Sequence, residues 1–291
     1  MVKKYTLYWL FLFWVLPNIS HANLNDKNVV SWNLQGSSAS TESKWNANIR
    51  TMLIGLGAYR DIDILNVQEA GSVPSSAQLM PQLGLRLDNP NQLEVPVEEY
   101  EWNLSTSSRP NIYYIYFSRV DTGANRVNLA IVSRQRASRV IILGTSVYPS
   151  IGHGRPILGI EVGGAYYFSI HAIANGGSDS GIIVERVLDY FRSNNNPAQW
   201  MISGDFNRSP NGSSTSLQGL LDRNYPRVSE NVTIISQPSP THINGGNLDY
   251  SVVGQINDFN QPIVTLISMI FVAALYGQQA SDHIPVIFYK R

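Results

Sequence analysis

A chain of 291 residues, 43% of them hydrophobic, is long enough for one large domain or two small ones. Lys plus Arg and Asp plus Glu both number 21, so the formal charge is zero. This excludes a protein held on nucleic acid by global positive charge and leaves phosphate contact to local arginines. The chain has no cysteine, which rules out disulfides, thiolate metal sites and cysteine nucleophiles.

At the N-terminus, Lys3 and Lys4 precede an apolar run over residues 5–16, and Ser20-His21-Ala22 fits a small-residue cleavage pattern. The run is too short for a membrane span. Residues 1–22 therefore read as a secretory signal peptide and residues 23–291 as one folded domain.

Residues 29–33 form an apolar run that turns polar at its end, which predicts a buried strand. Trp45, Ile49, Met52, Leu53 and Leu56 recur at helical spacing and predict a helix over 41–56. Residues 62–68 read as the next strand, ending at Glu69. Residues 71–98, rich in Pro, Ser, Gln and Asn, read as a surface excursion. Strands over 112–118 and 127–133 form a hairpin or meander around residues 121–125. Strands over 140–143, 157–162 and 165–171 continue it, with Gly163-Gly164 as a two-residue turn.

Ile182, Ile183, Val187, Leu188 and Phe191 make one apolar helix face, after a start signal at Gly176-Gly177-Ser178-Asp179. A strand over 200–203 ends at Gly204-Asp205, a weakly patterned helix covers 213–221, and strands follow over 232–235, 248–253 and 284–289. The uncharged stretch 263–276 reads as a buried helix or strand, or as a contact surface for a partner. Many strands with few helices predict an α/β fold in which two packed sheets are covered by helices.

Polar residues recur at strand ends, which places them along one rim of the layered sheets. Asn33 and Glu69 close two such strands, and a glutamate there is costly unless paired or bound to a cation. His171 closes another. Asp205 and Asn207 flank Phe206, so alternation would aim a carboxylate and an amide at one spot, with Gly204 admitting a ligand to the backbone. The same Gly-Asp-x-Asn stretch also reads as an ordinary turn. Asp282-His283 precedes the last strand, and Arg126 and Arg155 sit beside turn signals with the fork that suits phosphate. No P-loop, Rossmann glycine fingerprint, His-Glu-x-x-His or Gly-x-Ser-x-Gly elbow occurs.

In the order Asn33, Glu69, His171, Asp205-Phe206-Asn207, Asp249, Asp282-His283, these groups resemble the pattern of the endonuclease/exonuclease/phosphatase superfamily, the fold family of deoxyribonuclease I. Trp32-Asn33-Leu34-Gln35-Gly36-Ser37-Ser38-Ala39, Glu42-Ser43-Lys44-Trp45-Asn46, Val67-Gln68-Glu69-Ala70-Gly71 and the run from Gly123 to Arg134 resemble one branch more closely, the catalytic B subunits of cytolethal distending toxins. The similarity runs from about Asn23 to the C-terminus.

That resemblance implies a four-layered α/β sandwich of two mainly antiparallel β-sheets flanked by helices. It also implies a secreted Mg²⁺-dependent endonuclease, with Mn²⁺ or Ca²⁺ as alternatives in vitro. The implied substrate is double-stranded DNA, and the implied partners are the delivery and binding subunits of a toxin complex. The implied destination is the host nucleus, with DNA damage and cell-cycle arrest as the outcome. Carried over residue by residue, Glu69 would hold the metal, with Asn33 and Asp282 near it or its waters. His283, oriented by Asp249, and His171 would act as acid, base or phosphate contacts. Asp205 would orient or deprotonate water, Asn207 would hold a phosphate oxygen, and Arg126 and Arg155 would touch substrate phosphate. A phosphoinositide phosphatase, a non-toxin secreted nuclease and a non-catalytic binding module remain rival readings on the same scaffold.

Overall fold

The structure, a computed structural model, describes residues 23–36, 41–55, 61–81, 85–120, 126–145, 155–256, 266–270 and 281–290. The expected signal peptide, the 121–125 turn and most of the 263–276 stretch lie outside these residues.

The strands in chain order are β1 (Val29–Asn33), β2 (Ile64–Gln68), β3 (Gln78–Leu79), β4 (Arg86–Asp88), β5 (Val97–Asn103), β6 (Ile112–Ser118), β7 (Leu129–Ser133) and β8 (Arg139–Leu143). They continue as β9 (Ile157–Val162), β10 (Ala165–His171), β11 (Gln199–Asp205), β12 (Val232–Ile235), β13 (Asp249–Gln255), β14 (Leu266–Ile270) and β15 (Val286–Lys290). One sheet runs β14-β15-β1-β2-β7-β6-β5-β3 and the other β12-β13-β11-β10-β9-β8-β4. Most neighbours are antiparallel. The parallel exceptions are β1–β2, β10–β11 and the edge pair β4–β8.

The two central parallel pairs decide where the site lies. Each aligns two strand C-termini side by side, pairing Asn33 with Gln68 in one sheet and His171 with Asp205 in the other. Antiparallel β13 begins next to them, with Asp249 opposite Asp205. The inner face of each central strand changes character toward this rim. Val29, Ser31 and Asn33 follow one another at alternate positions, as do Ile64, Asn66 and Gln68, Tyr167, Ser169 and His171, and Met201, Ser203 and Asp205. The apolar residues of this series join the core between the sheets. The polar layer above it is bonded across the interface: Asn66 donates to Phe168 O at 3.0 Å and to Ser203 Oγ at 2.6 Å, and Gln68 donates to Ser169 Oγ at 3.1 Å.

Each outer face is covered by a helical segment. On the first sheet lie Thr41–Ser43, a π-wound turn Lys44–Ile49 and Arg50–Ile54, stopped by Gly55 at φ +69°. Its Trp45, Ile49, Met52 and Leu53 pack on Trp32 and Val67. On the second sheet the helix Ser180–Ser193 buries Ile183, Val187, Leu188 and Phe191. The Phe191 ring stacks on Trp200 at 5.9 Å, and burying a side chain of this size contributes roughly 1.5–3 kcal/mol.

One sequence expectation changes and another is narrowed to one of its alternatives. Residues 71–98 hold two short edge strands, β3 and β4, and the start of β5. The exposed Gln78-Leu79 and the mostly exposed Arg86–Asp88 carry no pattern of their own, and their pairing comes from β5 and β8. Within 263–276, the described part is the edge strand β14, paired to β15, with Leu266 buried and Met269 exposed. A helix is excluded there. Gly163 and Gly164 do form the two-residue turn, at φ +61° and +82°.

Candidate active site

Three strand ends stop on residues with left-handed backbone: Gln35 just past β1, Glu69 just past β2 and Asn207 just past β11, at φ 48°, 48° and 50°. Non-glycine residues adopt this region at a cost, and such costs concentrate at functional sites. The turns swing the chain away and leave the terminal side chains facing the cleft between the sheets.

Asn33 bridges the two sheets. Its Nδ2 donates to Asp205 Oδ2 at 3.0 Å and to Glu69 Oε1 at 3.3 Å, while its Oδ1 accepts the Gln35 N–H at 3.0 Å. In this orientation Asn33 offers N–H groups to carboxylates, and its oxygen is engaged by the backbone. His171 Nε2 lies 3.6 Å from Asp205 Oδ2 and 3.7 Å from Glu69 Oε1. His283 Nε2 lies 3.6 Å from the same Asp205 oxygen, and its Nδ1 is 2.8 Å from Asp249 Oδ2. Five of the residues singled out from sequence, from β1, β2, β10, β13 and the approach to β15, thus gather around a sixth, Asp205 at the end of β11.

The segment before β15 is tied in by its own bonds. Ser281 Oγ donates to Asn33 O at 2.6 Å and accepts the His283 N–H at 3.1 Å. Trp32 Nε1 donates to His283 O at 3.0 Å, and the Asp282 N–H reaches Gln35 Oε1 at 3.2 Å. Asp282 Oδ1 is 3.9 Å from His283 Nε2.

Asn207 differs from the alternation argument. β11 ends at Asp205, so the two side chains do not share a strand face. Asp205 Oδ1 accepts the Asn207 N–H at 2.8 Å, and Asn207 Nδ2 donates to Ala172 O at 2.9 Å, closing a turn that ties β11 to β10. Gly204 serves the protein rather than a ligand: a Cβ there would sit 2.1 Å from Ile170 O of the neighbouring strand. Arg155 lies at the end of β10, where Nη1 donates to Ala172 O at 3.1 Å and His171 O at 3.4 Å. Arg126 is exposed two residues before Asn128, whose carbonyl receives the Ala70 N–H, and so lies on the same rim as Glu69.

The environments drive the ionisable groups apart. Burial raises Asp205 to about 7, with Asp249 adding to it and His283 and Asn33 opposing. Burial also raises Glu69, and Asp282 adds to it. Burial works against charge on His283, yet Asp249, Asp205 and Asp282 lift it to about 9. His171 is held well below its ordinary value by burial, then by Arg155 and His283. The surroundings thus favour a charged His283 and a neutral His171, on either side of an Asp205 carboxyl that is protonated more readily than usual.

The family model for the endonuclease/exonuclease/phosphatase family matches residues 30–283, from β1 to His283. A homolog of the cytolethal distending toxin B subunit from Salmonella typhi is 43% identical over 271 residues, 93% of this chain and 91% of its own. The chain belongs to the endonuclease/exonuclease/phosphatase family, in its cytolethal distending toxin B branch. The B subunit of the Escherichia coli cytolethal distending toxin is 43% identical over 289 residues, 98% of each chain. The crystal structure of the Haemophilus ducreyi cytolethal distending toxin superimposes with a TM-score of 0.80 at 42% identity, covering 92% of this chain and 99% of that one. Membership makes the protein a hydrolytic enzyme of the phosphodiesterase and nuclease type, and the two-sheet sandwich is the fold of that family. Among the described residues, no helix is long and apolar enough to cross a membrane.

Sequence reasoning did not bring two further residues to the site, buried Asp179 and half-buried His242. Asp179, fully buried, accepts the Ile173 N–H at 2.7 Å and lies close enough to Arg155 to oppose the loss of its charge. His242 packs its ring against His283 with centroids 4.6 Å apart. Asp179 shows in sequence only as part of a helix start signal, and His242 sits in a Thr-His-Ile-Asn-Gly-Gly turn that reads as loop.

Proposed function

We propose that this chain is the catalytic component of a secreted bacterial genotoxin, a Mg²⁺-dependent endonuclease that cleaves double-stranded DNA in the host nucleus and so causes DNA damage and cell-cycle arrest. The observation that carries the reading is the meeting of Asn33, Glu69, His171, Asp249 and His283 around Asp205, in a chain 43% identical to cytolethal distending toxin B subunits. The names of those relatives support delivery by partner subunits of a toxin complex. The expected signal peptide supports export.

The donor chemistry fits a hard divalent cation. Burial disfavours the charge of Glu69, and the nearby Asp282 carboxylate disfavours it further. A cation relieves both costs, so Glu69 and Asp282 would hold it, with Asn33 fixing Glu69 by its N–H. When bound, the ion supplies positive charge that polarises the phosphoryl group.

The chain's own groups do the rest. Arg155, fastened to the carbonyls ending β10, and Arg126 on the rim draw in the phosphate. Asp205, held by Asn33 and the Asn207 N–H and titrating near neutrality, orients a water and takes its proton. Charged His283, aligned by Asp249, stabilises the phosphorane-like oxygens. Neutral His171 presents Nε2 to the same space. The water oxygen attacks phosphorus and the bond to the 3′ oxygen breaks, leaving a 5′-phosphate and a 3′-hydroxyl whose proton comes from solvent.

The test compares two substrates on one preparation: nicking of supercoiled plasmid with and without Mg²⁺, and phosphate release from a triphosphorylated inositol lipid. Mg²⁺-dependent nicking that outpaces phosphate release supports the nuclease. The reverse order establishes the phosphatase reading, and inactivity on both leaves a binding module.

A further inference from the structure

The turn between β12 and β13 brings a third histidine to the site. Its backbone is closed by the His242 N–H on Gly246 O and the Gly245 N–H on His242 O, both at 2.9 Å, with Gly245 at φ +86°. It is fastened to the segment before β15 by the Ile243 N–H on Asp282 O at 2.9 Å and the Ile284 N–H on Thr241 O at 2.7 Å, and an antiparallel bridge pairs His242 with His283. The side chain therefore stands on a rigid mount.

From that mount His242 Nε2 reaches to 3.5 Å from Asp282 Oδ2, and its ring meets the His283 ring at 78°, edge to face. His242 Nδ1 accepts the Asn244 N–H at 3.1 Å. A neutral imidazole that accepts at one nitrogen carries its proton on the other, so Nε2–H faces the Asp282 carboxylate. The same tautomer argues against reading His242, Asp282 and His283 as a three-ligand metal site, although their ligand atoms lie within 4.8 Å of one another. A metal on Nε2 would require that nitrogen bare and Nδ1 protonated, facing a backbone N–H.

We propose that His242 is a positioning residue of the active site: its Nε2–H fixes the Asp282 carboxylate and its ring, packed edge to face with that of His283, fixes the plane of His283. Asp282 is then clamped through its backbone N–H by Gln35, through its carbonyl by Ile243 and through its side chain by His242. The inference rests on the reading that Asp282 helps hold the divalent cation.

The test uses the full chain and the variants His242→Gln and His242→Leu, with Mn²⁺ alone as the binding probe, followed by electron paramagnetic resonance, beside the kcat and KM for plasmid nicking. Glutamine can return an N–H to the place of Nε2, and leucine fills similar volume without one. The expected result is that His242→Leu weakens Mn²⁺ binding and lowers kcat by roughly 10–100-fold, with KM for plasmid little changed, whereas His242→Gln recovers most of both. Equal Mn²⁺ affinity and equal kcat in the two variants overturn the proposal, whether both are active or both impaired. Should His242→Leu fail to fold, His242→Ala against His242→Gln gives the same contrast. A wild-type chain that binds Mn²⁺ without nicking plasmid defeats the nuclease reading, and the Mn²⁺ affinities of the variants then decide the role of His242.

Discussion

Asn33 and Asp205 belong to different sheets, and one hydrogen bond of 3.0 Å joins them across the cleft. The same amide nitrogen reaches Glu69 at 3.3 Å, so a single side chain sets the spacing between a proposed cation ligand and the proposed base. Replacing it with alanine leaves buried Asp205 and half-buried Glu69 without their shared donor. Asn33→Ala is expected to lower plasmid nicking by about 10–100-fold, the usual cost of losing a group that orients others in a site. Initial rates at saturating Mg²⁺ check this, and a rate within about twofold of wild type removes Asn33 from the account.

The His283–Asp249 pair makes stability depend on pH. His283 is raised from 6.5 unfolded to about 9 folded, so its contribution is fully present below pH 6.5 and is lost as pH rises through 9. His171 acts in the opposite sense. Its folded value lies well below 6.5, so it favours the native state above that pH and penalises it as pH falls. In chelator, the gap in thermal midpoint between wild type and Asp249→Asn should be wide at pH 6 and narrow markedly above pH 9. A gap independent of pH would mean that Asp249 does not hold the charge of His283.

Gly204 is fixed by a neighbouring backbone. A methyl group there would lie 2.1 Å from Ile170 O, so β10 and β11 would have to separate where His171 and Asp205 are in register. Gly204→Ala should destabilise the fold by about 1–3 kcal/mol in urea unfolding and reduce activity more than that loss explains. Full stability with full activity would show that the strands absorb the methyl group.

The polar layer beneath the site offers a separate check. Asn66 is fully buried, and its amide joins β2 to Phe168 O and Ser203 Oγ of the other sheet. Asn66→Ala leaves both acceptors without that donor and is expected to cost about 1–3 kcal/mol. Urea unfolding with an unchanged m-value measures it.

Much of this architecture is legible in the chain because a strand writes its two faces at alternate positions. Ile64, Asn66 and Gln68, or Tyr167, Ser169 and His171, show the inner face changing from apolar to polar toward the rim, and the strand assignments follow from such runs. β3 and β4 escape because edge strands this short take their pairing from β5 and β8, far along the chain. Strand alternation misplaces Asn207, since the strand stops at Asp205 and the turn that the Gly-Asp-x-Asn stretch also suggested takes over, with left-handed backbone at Asn207. His242 is silent in sequence because its value lies in a contact with Asp282 and His283 that only the folded chain creates.

The convergence of the two histidines on Asp205 is tested by single-turnover nicking of supercoiled plasmid by wild type, His171→Ala and His283→Ala in Mg²⁺. Wild type should nick in a Mg²⁺-dependent way and each variant should lose at least about 10²-fold, the usual cost of removing a preorganised group from developing charge, since both imidazoles face the oxygen of Asp205 from 3.6 Å. Nicking by His283→Ala at near the wild-type rate would contradict that convergence.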